Sequence, residues 1–169
     1  MKITRSGFLS LALLAAGCLP TFAQSPNRPT AQSVRAYFAS VNRKVLEIAK
    51  DFPADKYEYK LKPEMRTFAE LIVHIASGNV YAAKAAHGEN VKWDELDPKD
   101  FKTKAEVVAL MEKSTAEAEA ALKSLPDESL LKTGEPWMGV FEHSAEHYGL
   151  LVAYYRANGL IPPESRPKK

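Results

Sequence analysis

His143 and His147 stand four residues apart in the run Glu142-His143-Ser144-Ala145-Glu146-His147-Tyr148-Gly149. On a helix that spacing projects both imidazoles from one face, one turn above the other. Two neutral imidazoles so placed can reach one metal ion without bending the backbone. A lone pair of this kind is nonetheless more often an ordinary surface or core feature. The chain has four histidines. A third, His74, lies in another strongly helical stretch. The fourth, His87, precedes Gly88 at a helix end, where an imidazole complements the last carbonyls, and it is assigned no ligand role.

The elements that must position these residues read as four helices, with no competing strand pattern. The first spans about 30–50, with Val34, Tyr37, Phe38, Val41, Val45 and Ile48 at helical spacing and Pro53 closing it. The second starts at Thr67, which with Glu70 makes a capping-box pattern, and runs to about 87. The third opens with the same pattern at Thr103 and Glu106 and continues to Leu125 before Pro126. The fourth enters through Pro136 and Trp137 and ends near Asn158. Gly159 then sits where a left-handed cap belongs, and Pro162-Pro163 stops further helix. The links 51–66 and 88–102 are long for simple hairpins, while 126–135 is shorter. Long links permit a crossover bundle in place of plain up-down-up-down order. An all-α four-helix bundle is the expected fold.

Residues 1–23 read as a secretory signal peptide. Lys2 and Arg5 precede an uncharged apolar run, and Thr21-Phe22-Ala23 offers a cleavage site before Gln24. The apolar run is too short for a normal membrane span. Ala15-Ala16-Gly17-Cys18 also resembles a lipobox, so lipidation at Cys18 is the second option, with Ala15 where leucine is usual. Export to the periplasm or beyond is expected either way. Residues 24–29 form a flexible lead-in, 30–165 the bundle domain and 166–169 a basic tail. Cleavage removes the chain's one cysteine. It also removes two basic residues and no acidic ones, which balances the 23 basic and 21 acidic residues of the whole chain. No basic patch or aromatic-basic interleaving points to nucleic acid.

The stretch Met65-Arg66-Thr67-Phe68-Ala69-Glu70-Leu71-Ile72-Val73-His74-Ile75-Ala76 resembles the second-helix motif of the DinB superfamily. His143-Ser144-Ala145-Glu146-His147-Tyr148-Gly149-Leu150-Leu151-Val152-Ala153-Tyr154-Tyr155-Arg156, with the exit Asn158-Gly159-Leu160-Ile161-Pro162-Pro163, resembles that family's last helix. The resemblance covers about 30–165. It implies a four-helix bundle, often dimeric, in which one histidine of the second helix and two of the last bind a divalent metal. Carried across, these are His74, His143 and His147. It also implies thiol-dependent transferase or isomerase activity in some members, while many others, exported ones included, have no assigned reaction.

Three imidazoles without a cysteine suit zinc or nickel first, with cobalt, iron or manganese as alternatives, since affinity order alone does not choose. Three protein ligands leave a position open, the pattern of a catalytic site. Neutral ligands leave the ion its full charge, so it would acidify water or a thiol. Glu70, one turn before His74, could orient that ring or act as a base, although its capping role is the better reading. Glu142 and Glu146 flank the pair off its face and read as solvated or subunit-facing. Tyr81 and Tyr154 could line a cavity, though aromatics at such spacing are more often core. Trp93 and Trp137 fall in or beside links, where they would cover helix ends or a dimer interface. Arg156, near the end of the last helix, reads first as complementing its dipole and second as a substrate-binding residue. The expected function is a metal-dependent hydrolase or thiol-dependent transferase acting on an unidentified small molecule. The alternative is a non-catalytic metal- or ligand-binding envelope protein.

Overall fold

Three helices begin on the same side-chain device. In the computed structural model, which describes residues 30–87 and 89–167, α1 spans Ala31–Asp51, α2 Phe68–Ala86 and α3 Lys104–Ser124. The hydroxyls of Thr30, Thr67 and Thr103 each accept a hydrogen bond from the amide three residues on, and that residue's side chain reaches back. Donors that a helix start would leave orphaned are thereby satisfied. A seven-residue helix α4, Asp127–Thr133, and a long α5, Trp137–Ala157, complete the set. Every regular element among the described residues is helical. The expected signal peptide, the lipobox at Cys18 and the lead-in 24–29 lie outside the described residues, as does the end of the basic tail.

Apolar periodicity sets which faces meet. Helix α2 packs against α3 and α5, and α1 packs against the same two, so α1 and α2 face each other across a diagonal. Two apolar clusters fill the interior. One gathers Ile48 and Phe52 late in α1, Phe68 and Leu71 early in α2, Met111 of α3 and Tyr155 late in α5. The other gathers Phe38, Ala82, Leu122 and Trp137 from the opposite ends of those helices. It follows that α1 and α5 run in one direction and α2 and α3 in the other. Because α2 and α3 are adjacent and parallel, the connection from 87 to 103 must travel back along the bundle. It is a true crossover, as the link lengths suggested.

Between the two clusters lies a buried polar layer. The Asn79 amide donates to Oδ1 of Asn42 at 2.7 Å, and the Asn42 amide donates to the Phe38 carbonyl at 3.0 Å. The first bond spans the diagonal, the second lies within α1, and together they offset part of the cost of burying two carboxamides. At the far end, Gly159 adopts φ 70°. The Leu160 amide donates to the Tyr155 carbonyl and the Gly159 amide to that of Arg156, which closes α5 as a Schellman motif. Beyond it, Arg166 makes a two-pronged ion pair with Asp51.

Two expectations change. The link 126–135 is not simply a loop: Pro126 and Gly134, at φ 66°, bracket α4. Trp137 does not cover a helix end. It is 1% exposed in the core, edge-on to Phe38. No helix of the described residues is long and apolar enough to cross a membrane.

Candidate metal centre

The groove between α2 and α5 receives all three histidines. His74 lies midway along α2, and the i, i+4 spacing of His143 and His147 turns both rings of α5 toward it. Nε2 of His74 is 2.9 Å from Nε2 of His143 and 3.1 Å from Nε2 of His147. One ligand atom from each ring lies within 4.8 Å of the others. The rings meet edge-on at 63°, 74° and 84° and do not stack, so their in-plane nitrogens converge.

Proton counting shows what this cluster fits. A neutral imidazole has one N–H and one lone pair. Nε2 of His74 has two nitrogen neighbours and can serve only one of them well. Hydrogen bonding among the rings therefore leaves the cluster unsatisfied, whereas a cation accepting three Nε2 lone pairs would use every inward nitrogen. Burial pushes the pKa of each ring down, that of His143 to about 4 with its histidine neighbours adding to the effect. The rings are thus neutral at pH 7, the state that binds metal.

A short stretch of the crossover folds onto this cluster. Nδ1 of His74 lies 3.1 Å from Oε1 of Glu95, although without the alignment of a full hydrogen bond. The same carboxylate takes Nη2 of Arg66 at 3.0 and 3.3 Å. Trp93 stands over His143 with ring centroids 5.1 Å apart, and against Tyr81 at 5.5 Å. Beneath it, Gly78 makes room: a Cβ there would lie 3.0 Å from the Trp93 ring and 3.3 Å from Nδ1 of His143. His74, His143, Tyr81, Trp93, Pro136 and Val140 line an open cleft of about 370 Å³. A larger groove, about 550 Å³ and almost wholly apolar, lies elsewhere, between α1, α4 and α5.

The other sequence candidates divide. Tyr81 lines the cleft. Tyr154 is fully buried in the core, and its hydroxyl donates to the Arg66 carbonyl. The Glu70 carboxylate accepts from the Thr67 amide at 2.6 Å, which is the capping role favoured for it. Glu142, Glu146 and Arg156 are exposed, and His87 caps α2. Trp93 sits over the centre. Sequence reading missed Glu95, Arg66 and Gly78, for which the one available signal was a link longer than its turn required.

The match to known sequences agrees with this geometry. The family model described as the DinB superfamily matches residues 37–157, from early α1 to the end of α5, and includes all three histidines. No curated protein is significantly similar to the chain. With most of its length matched and the helical bundle to accompany it, the chain belongs to the DinB superfamily.

Proposed function

We propose that this protein holds one divalent metal ion through Nε2 of His74, His143 and His147, and acts on a small molecule in the adjoining cleft as a metal-dependent hydrolase or thiol-dependent transferase. The observation that carries the reading is the convergence of three inward nitrogens that hydrogen bonds among themselves cannot satisfy. An ion there would supply charge to acidify water or a thiol or to polarise a substrate oxygen. Trp93 and Tyr81 form an aromatic wall, and Val140 and Pro136 an apolar one, so a bound molecule would be partly shielded from solvent. Zinc and nickel are the first choices by ligand type.

Export and a homodimer belong to the same proposal. The leader pattern of residues 1–23 supports the first. The exposed Tyr37 and Met138 of the apolar groove support the second, which a sizing measurement tests. Export favours water over cytoplasmic thiols as the attacking group. A second reading, binding without turnover, draws support from Glu70, whose capping role withdraws the carboxylate that sequence offered as a base.

Protein reconstituted with zinc or nickel is assayed against esters, lactones, and thiols paired with electrophiles, alongside His143→Ala. Turnover that falls by at least about 100-fold in the variant is the expected result. Stoichiometric metal with no turnover across the panel replaces the enzyme reading by the binding one.

A further inference from the structure

The crossover does more than reconnect two parallel helices. It is fastened to α2 at three successive places. Trp93 rests on Gly78, Glu95 meets His74, and the Leu96 amide donates to the Ser77 hydroxyl at 3.0 Å. Ser77 is itself fixed by donating to the Val73 carbonyl at 2.8 Å. Arg66 also holds both oxygens of Glu95, and the Arg66 carbonyl is in turn held by the Tyr154 hydroxyl. A carboxylate in a link is ordinarily free to sample many rotamers, at an entropic cost when it settles. Here the backbone after it is pinned and its charge is paired.

We propose that Glu95 is the positioning residue of the centre: it accepts the Nδ1 proton of His74 and so keeps that ring's Nε2 lone pair directed at the ion. The proposal rests on the three-histidine metal reading. Free imidazole side chains favour neither the ring angle nor the tautomer that a metal needs, and an acceptor at Nδ1 sets both. His143 and His147 derive their relative placement from sharing one helix face. His74 comes alone from α2, so its orientation depends most on an outside partner. The carboxylate one turn before it, Glu70, is committed to the cap of α2, and Glu95 occupies the place that Glu70 does not. Arg66 limits the carboxylate to a supporting part, because its oxygens are shared with a guanidinium.

The test compares wild type, Glu95→Gln, His74→Ala and the double variant, with affinity for zinc read by competition with a chromophoric chelator and site geometry by the visible absorption of the cobalt-loaded forms. Glu95→Gln is expected to weaken zinc binding by about 10- to 100-fold and to shift the cobalt bands. In the His74→Ala background the same change is expected to alter affinity by less than about twofold, because the residue acts through His74. Wild-type affinity and spectrum in Glu95→Gln, or an equal loss in both backgrounds, would overturn the proposal. A second measurement needs no variant: nitrogen-15 spectra of the metal-free wild type should show His74 as the Nδ1–H tautomer, and the Nε2–H form overturns the assignment. If wild type and His143→Ala both fail to bind metal, the three-histidine reading falls and this role falls with it. Metal bound by wild type but unaffected by Glu95→Gln defeats this role alone.

Discussion

Gly78 shows how little space separates α2 from the residues above it. A methyl group there would meet the outer edge of Trp93 at 3.0 Å and His143 Nδ1 at 3.3 Å. Alanine is the better helix former by up to about 1 kcal/mol, so Gly78→Ala sets local propensity against the fit of the site. The expected outcome is a urea midpoint close to wild type, with zinc affinity lowered several-fold and a change in Trp93 fluorescence. Wild-type affinity in this variant would show that Trp93 moves aside without disturbing His143. The histidines also fix a pH dependence. Burial lowers their pKa values in the folded chain, so below about 6.5, and for His143 down to about 4, the unfolded chain binds protons that the folded, metal-free chain refuses. The histidine contribution to the stability of the metal-free protein should therefore fall as pH drops through that window and level off below it, where protonation of Asp51, held down by Arg166, takes over the loss. His143→Ala should flatten the slope, as read from denaturant melts at stepped pH.

At the scale of elements, the caps and the crossover explain what could be read in advance. Thr67 with Glu70 and Thr103 with Glu106 are local signals, three residues apart, and both caps form where that spacing places them. Thr30 does the same with Ser33, a pairing that a search for Glu or Gln passes over. Helix α4 escaped notice because seven residues hold too little periodicity to register, although Pro126 and Gly134 mark both its ends. Glu95 was illegible for another reason. Its partners Arg66 and His74 are 29 and 21 positions away, and nothing in a link's own sequence reveals which helix it will lie upon. The polar layer is a similar case, since Asn42 and Asn79 meet across a diagonal. Asn42→Ala leaves the Asn79 amide only its longer bond, 3.4 Å, to the Thr115 hydroxyl and should cost about 1–3 kcal/mol in denaturant melts, whereas replacing both asparagines by leucine should recover much of that loss. A double variant no more stable than the single one would contradict the pairing.

Across the whole molecule, two apolar clusters flank one polar layer, and the three histidines sit in the groove at mid-height. The pair on α5 was visible from its spacing, but its meaning depended on His74, which only the packing of α2 against α5 brings within 3.1 Å. Trp137 illustrates the reverse error. Its place beside a link suggested surface duty, yet the returning chain buries it against Phe38. Trp137→Ala should cost about 3–5 kcal/mol, far more than Trp93→Ala, and thermal melts of the two variants compare them directly.

The central claim is that the three histidines hold one divalent ion. Elemental analysis after reconstitution with zinc or nickel and dialysis tests it most directly, on wild type beside His74→Ala, His143→Ala and His147→Ala. The account predicts about one ion per wild-type chain, a large loss in each variant, and stabilisation of about 2.7 kcal/mol at free metal 100-fold above Kd. Equally low metal in wild type and all three variants would contradict it.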